Sequence, residues 1–231
     1  MKVNHINSNL IKININEALR YLGYRNNNVD VETYKLLNES IIELQNICEF
    51  KYVYRIFEVK NENNIINFEN FIKITSNDLA KLFKDCKKSA VIAATIGFEV
   101  EKRIKYFNST NLTKAVIFDA CASAYIEALC DYVESEIMEI AAQEDYNTTF
   151  RYSPGYGDVP ISHQKEILNA LNAQKYIGLS SLDSSILVPR KSVTAFIGFN
   201  KGNETNNKSC LNCNLYNNCS FTKKGENSYD K

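Results

Sequence analysis

The chain has 231 residues, with 27 Lys and Arg set against 27 Asp and Glu, so its formal net charge is zero. That balance excludes a basic nucleic-acid footprint spread over the whole surface, and 45% hydrophobic residues exclude a disordered chain. The longest apolar run, Ala90 to Phe98, falls short of the roughly 18 residues a membrane-spanning helix needs. The N-terminus breaks its apolar residues with Asn and Lys, leaving no signal-peptide core. The expectation is a soluble, cytoplasmic protein without nucleic-acid or membrane partners.

In chain order, Val31, Tyr34, Leu37, Ile41 and Leu44 recur at helical spacing and predict a helix from Val31 to Ile47. Lys51–Lys60, rich in β-branched and aromatic residues, reads as a strand. Ile65–Ile74 alternates, and the Asn-rich break between the two suggests a β-hairpin. Ser76 is a plausible N-cap for a helix running to Cys86, with Asp78 in its first turn. Ser89–Ile96 reads as a short buried strand, followed by a helix carrying Val100, Ile104 and Phe107.

The longest element should run from about Asn111 to Ala142, with small residues (Ala120, Ala122, Ser123, Ala124, Ala128) that let a backbone or ligand approach closely. Asp145–Arg151 reads as an exposed connector, and Pro154, Gly155, Gly157 and Pro160 mark an irregular loop. A helix over Ser162–Tyr176 and strands at Ser185–Val188 and Ser192–Phe199 complete the pattern. Helices and hairpins without regular βαβ alternation predict an α+β fold: an antiparallel or mixed sheet flanked by helices, one of them long and central. One domain is expected over residues 1–200, with a polar, Cys-containing tail over 201–231.

Seven cysteines, an odd count without an export signal, do not form a secreted disulfide framework. Cys210, Cys213 and Cys219 crowd into the tail, and thiolates two residues apart can close on one metal, as in zinc and iron–sulfur sites. Three ligands leave the set one short, so Cys86, His163, a partner or an exogenous ligand would have to complete it. A tail of thiols without metal fits the same residues.

The segment Arg151–Asp158, continuing to Pro160 and His163, is the most informative. Two prolines and two glycines within seven residues set an extended backbone whose polar groups no helix or ladder consumes. Such a backbone can meet a ligand, with Arg151 offering a bidentate cation to a carboxylate or phosphate; a rigid surface loop is the plainer reading. Neither GxGxxG nor GxxxxGK[ST] occurs, which argues against a Rossmann or P-loop site. Counting by fours, Asp119, Ser123, Glu127 and Asp131 share one helical face. Glu127 could hold a ligand ammonium there, or the face could be a solvated acidic stripe. His163 and His5 carry no catalytic signal of their own.

Arg151, Pro154, Gly155, Tyr156, Pro160 and His163 match an R-x-x-P-G-Y-x-x-x-P-x-x-H pattern. In that respect the sequence resembles the activation (AdoMet-binding) domain of cobalamin-dependent methionine synthase. The run from Pro189 to Phe196 is similar to that family's P-x-x-S-V-S-G-W strand region, and Val116–Ile137 looks like its long helix bearing an acidic ligand contact at Glu127. RYSPGYGD and VPRKSVTA look especially like the short, free-standing clostridial-type forms, in which a Cys-bearing tail also appears. The three motifs lie in order between about Ala115 and Phe199. The family's N-terminal AdoMet-contacting aspartate and its late tyrosine have no matched position.

The resemblance implies reactivation of methionine synthase. Cob(II)alamin, the inactive oxidised state, receives one electron and a methyl group from AdoMet, giving methylcobalamin and S-adenosylhomocysteine. It implies that Arg151 grips the AdoMet carboxylate, Glu127 takes the ammonium, and backbone at Ser153, Gly155 and Tyr156 reads the adenine. Tyr156 would also face the corrin as the residue nearest the chemistry. The protein's part is positioning. The chain lacks a D-x-H-x-x-G cobalamin motif, so a partner, methionine synthase or a related corrinoid protein, is expected to carry the cobalamin, with flavodoxin or ferredoxin as reductant. A non-catalytic AdoMet-binding or scaffold subunit of another corrinoid methyltransferase system is the alternative.

Overall fold

The computed structural model describes residues 1–24 and 29–202. Among the described residues nine strands and seven α-helices follow one another as β1 (Lys2–Ile6), α1 (Ile15–Tyr21), α2 (Val31–Ile47), β2 (Phe50–Glu62), β3 (Ile65–Phe68), β4 (Ile72–Thr75), α3 (Asn77–Leu82) and β5 (Cys86–Thr95). Then come α4 (Phe98–Thr110), α5 (Leu112–Gln143), β6 (Asn147–Thr148), α6 (Gln164–Ala170), α7 (Ala173–Ile177), β7 (Ser180–Ser181), β8 (Leu187–Val188) and β9 (Ser192–Asn200).

The main sheet is antiparallel in the order β4-β3-β2-β5-β9-β6, and β1 pairs with the first half of β2 on the edge that β3 takes further along. Its central strands are buried on both faces. On one face Phe50, Tyr52, Tyr54, Ile92, Ala94 and Ile197 pack under α1, α2, α4 and α5. On the other, Val53, Phe57, Val91, Ala93 and Phe196 pack with the β3–β4 hairpin, α3, α6 and α7. The two-residue period of each strand sorts its side chains between these two cores.

The α+β expectation holds, and so does α2 at its expected limits. The β2–β3 hairpin turns at Asn63 and Asn64, both with positive φ (52° and 62°), a conformation Asn tolerates. Elsewhere the boundaries differ for local reasons. Ile65–Ile74 is two strands, because Glu69 and Asn70 take positive φ and fold a second turn. The Ser76-capped helix stops at Leu82, and Cys86 opens β5 instead. The expected Ser162–Tyr176 helix breaks into α6 and α7 at Asn172, whose φ is 48°. Of Ser185–Val188 only Leu187–Val188 is strand, since Ser185 (φ 64°) turns it back onto Ser180–Ser181. Asp145–Arg151 is not simply a connector: Asn147 and Thr148 pair with Asn200 and Phe199, and Thr149 is buried.

The helix α5, with 32 residues and so about 48 Å long at 1.5 Å per residue, is the element on which the site is built. Asn111 caps it, its side chain accepting from the Lys114 N–H at 3.0 Å. Such a cap contributes on the order of 1 kcal/mol. No helix among the described residues is long and apolar enough to cross a membrane.

Candidate functional site

The short strand β6 returns the chain to the edge of β9, and Tyr152 then bonds Phe196 in both directions (2.9 and 2.8 Å). This bridge fixes Arg151 beside α5. Its side chain is only 7% exposed. Nη2 donates to Glu127 Oε2 at 3.1 Å and lies 2.9 Å from Asp131 Oδ1, while Nη1 lies 3.0 Å from Glu134 Oε2. Nη1 donates no hydrogen bond despite its burial. Burial opposes the charge, but Cys130 and the carboxylates of Glu134, Asp131 and Glu127 outweigh it and hold the guanidinium's pKa above its ordinary value.

The face Asp119–Ser123–Glu127–Asp131 is therefore not a bare solvated stripe. Lys191 Nζ, entering from the turn before β9, pairs with Asp119 Oδ2 at 2.9 Å and donates to Ser123 Oγ at 2.7 Å. Two cations from separate loops thus divide the helix face between them. Of the small residues noted in the sequence, Ala120, Ala122 and Ala124 are buried, on the side of α5 turned to the protein.

The Pro–Gly loop follows Tyr152. The sequence pattern suggests amides open to a ligand, but the loop's own turns use two of them: Gly155 N–H donates to Val159 O (2.9 Å) and Tyr156 N–H to Ser153 O (3.2 Å). Ser153 N–H and Gly155 C=O take no part in those turn bonds. Tyr156 is 62% exposed, Pro154 is buried and Gly155 exposed. Gly157 has φ 52°, and a Cβ there would collide with Tyr152 Oη and the Asp78 carboxylate. Asp158 anchors the loop to the start of α3. It accepts from Ser76 Oγ, from Asn77 N–H at 2.6 Å and from Asp78 N–H at 3.3 Å. His163 stands apart from the clamp, its Nδ1 3.0 Å from Glu166.

Residues that sequence reasoning passed over complete the surroundings. Tyr21, at the end of α1, lies close enough to Glu127 and Tyr156 to feel both. Burial first, then the Glu127 carboxylate, push its hydroxyl up to about 12. The helix α1 packs against α5 and brings Tyr21 near Glu127. Glu134, seven residues after Glu127, lies on the same helical face, but the count by fours runs on from Asp131 to Ser135 and passes it by. Two clefts, of about 550 and 510 Å³, lie elsewhere and include none of the residues nominated from sequence.

Cys48, Cys86 and Cys121 are thiols whose pKa burial pushes up to about 12, and Cys130 is buried and takes part in no disulfide. Among the described residues no group of three or more His, Cys, Asp or Glu side chains could hold a metal ion. Cys210, Cys213 and Cys219 lie outside the described residues.

Fold and site together define an α+β domain that offers a buried, acid-flanked guanidinium and a Pro–Gly loop along one long helix. The model of the family described as "Vitamin B12 dependent methionine synthase, activation domain" matches residues 24–205. The chain belongs to that family. Among solved structures, the "Crystal Structure of the MetH Reactivation Domain bound to AdoHcy" matches with TM-score 0.67 and 14% identity, covering 88% of this chain and 79% of that one. At that identity the likeness shows the fold. No curated protein matches the chain.

Proposed function

We propose that this chain binds AdoMet in the groove over α5 and reactivates a cobalamin-dependent methionine synthase, by reductive methylation of cob(II)alamin held on that partner protein. The observation that carries the reading is Arg151 itself: a buried guanidinium whose Nη1 lies 3.0 Å from Glu134 without donating a hydrogen bond, and whose Nη2 lies 3.1 Å from Glu127, a carboxylate that could receive an ammonium instead. An amino-acid end group, carboxylate and ammonium together, fits that pair. Its carboxylate takes the fork of Arg151 while its ammonium replaces the guanidinium on Glu127. Family membership and the AdoHcy held by the structurally similar domain support the ligand.

In this reading the Ser153 N–H and Gly155 C=O, which the loop's own turns leave unused, meet the adenine, and the Tyr156 backbone and ring border it. The exposed Tyr156 ring also faces the corrin of the partner and acts as the residue nearest the transferred methyl. AdoMet supplies the methyl cation, a flavodoxin or ferredoxin supplies one electron, and S-adenosylhomocysteine leaves. The chain's residues hold the donor in line and keep its end groups neutralised. The tail cysteines Cys210, Cys213 and Cys219 are proposed to bind zinc or an iron–sulfur cluster, which metal analysis of anaerobically purified protein would reveal.

The test is an AdoMet titration followed by absorbance of the partner's cobalamin under reductant. Conversion of cob(II)alamin to methylcobalamin only when this chain and AdoMet are both present is expected. Binding without conversion would reduce the chain to an AdoMet-binding subunit, and no binding would remove the reading.

A further inference from the structure

The Pro–Gly loop is held at both ends, by two different elements. At its start Tyr152 is bridged to Phe196 of β9, and its Oη donates to Tyr156 O at 3.1 Å. At its end the Asp158 carboxylate meets the first turn of α3, accepting from Ser76 Oγ, from the Asn77 N–H at 2.6 Å and from the Asp78 N–H at 3.3 Å. The first N–H groups of a helix have no partner within it, so a carboxylate from another segment satisfies them. The anchor itself is firm. Ser76 is buried, its N–H donates to Asn64 O at 3.0 Å, and its Oγ accepts from the Leu79 N–H at 2.9 Å. Leu79 and Ala80 sink α3 into the core. Asp158, by contrast, is exposed, so water would satisfy its carboxylate as well. What its three contacts determine is where the loop lies.

We infer that Asp158 is a positioning residue for the base of the methyl donor: by pinning the loop to α3 it fixes how the Ser153 N–H and Gly155 C=O meet the adenine. The inference rests on the AdoMet reading above and adds to it a residue that touches no ligand atom. Position 158 is one of the unspecified positions of the R-x-x-P-G-Y-x-x-x-P-x-x-H pattern, so the motif assigns it no role. The link from Asp158 to the adenine contacts is short. Gly155 N–H donates to Val159 O at 2.9 Å and Val159 N–H to Tyr156 O at 3.1 Å, so a shift at 158 passes directly to 155 and 156. Arg151 and Glu127 are set instead by the Tyr152–Phe196 bridge and by α5. Release of Asp158 therefore loosens the adenine end of the site and leaves the amino-acid end in place.

The experiment is calorimetry on the full chain with two probes, AdoMet and S-inosylmethionine, in which a carbonyl oxygen replaces the amino group of the base. In the wild type that oxygen would face Gly155 O, acceptor against acceptor, and AdoMet should bind at least about tenfold more tightly. Asp158→Ala should weaken AdoMet and leave S-inosylmethionine nearly as it was, so that the ratio falls to about threefold or less. Asp158→Asn, of the same size and still an acceptor, should keep an intermediate ratio, and it guards against loss of the fold in the alanine variant. A general loss of structure lowers both affinities together and leaves the ratio alone. An unchanged ratio in both variants, with or without weaker binding, would make Asp158 a purely structural tie and overturn the inference. AdoMet binding without discrimination in the wild type would take the loop off the adenine and overturn it too, leaving the Arg151–Glu127 hold standing. If AdoMet does not bind at all, the AdoMet reading fails and takes the inference with it.

Discussion

The guanidinium of Arg151 reaches Glu127 across 24 positions of sequence, Nη2 donating to Oε2 at 3.1 Å. The contact joins the end of a sheet-edge segment to the middle of the long helix. Tyr152 is stitched to Phe196 by two backbone hydrogen bonds, which hold the preceding residue beside α5. An amino-acid ligand would part this pair and occupy both halves.

Arg151→Ala should therefore weaken AdoMet binding by on the order of 2 kcal/mol, about thirtyfold, through loss of a charge-assisted pair. It should also lower the melting temperature, because three carboxylates would be left facing one another. Calorimetry and thermal unfolding on the same preparation read both effects, and unchanged affinity would remove Arg151 from the site.

Glu127→Gln should act more mildly on affinity, since Asp131 and Glu134 still neutralise the guanidinium. A titration indistinguishable from wild type would return this helix face to a purely structural role.

How much of this was legible beforehand depends on whether the signal was local. The helix α2 and the β2–β3 turn were, because apolar spacing and an Asn pair at positive φ are properties of neighbouring residues. The breaks at Glu69–Asn70 and Asn172 were not, since a polar residue in a left-handed conformation leaves no mark on apolar periodicity. The first strand was missed because its partner, Phe50 to Tyr54, lies some fifty residues away. At the site, Arg151 and Glu127 could be nominated from motif and helical count. Tyr21 and Lys191 could not be assigned there, because only tertiary packing brings α1 and the turn before β9 onto α5.

Gly157→Ala should disrupt the loop. Its φ of 52° lies in the left-handed region, which is strained for alanine, and the added methyl would meet Tyr152 Oη and Asp78. A loss of about 1–3 kcal/mol of stability is expected, with weaker AdoMet binding, measured by denaturant unfolding and calorimetry. A variant as stable as wild type would show that the Tyr152 and Asp78 contacts do not constrain the loop.

Behind the sheet, Glu136 accepts hydrogen bonds from Tyr52 and Tyr54 (2.5 and 2.6 Å) and pairs with Lys2 at 2.7 Å. Burial works against its charge, but Lys2, Tyr52 and Tyr54 prevail and hold its pKa below the ordinary glutamate value. A depressed folded-state pKa means the unfolded chain takes up the proton first. The stabilisation is thus present above the usual pKa of about 4.3 and is lost as pH falls through the folded value. Glu136→Gln should flatten the stability profile on the acid side of that pKa while lowering stability at neutral pH. Parallel acid limbs for the two proteins would contradict this role.

The most direct measurement of the central claim is a crystal structure of the chain with AdoMet bound. The ligand's carboxylate should lie within hydrogen-bonding distance of Arg151, its ammonium beside Glu127 and its adenine along Ser153–Tyr156. Electron density for AdoMet elsewhere, with Arg151 still paired to Glu127 and Asp131, would contradict the account.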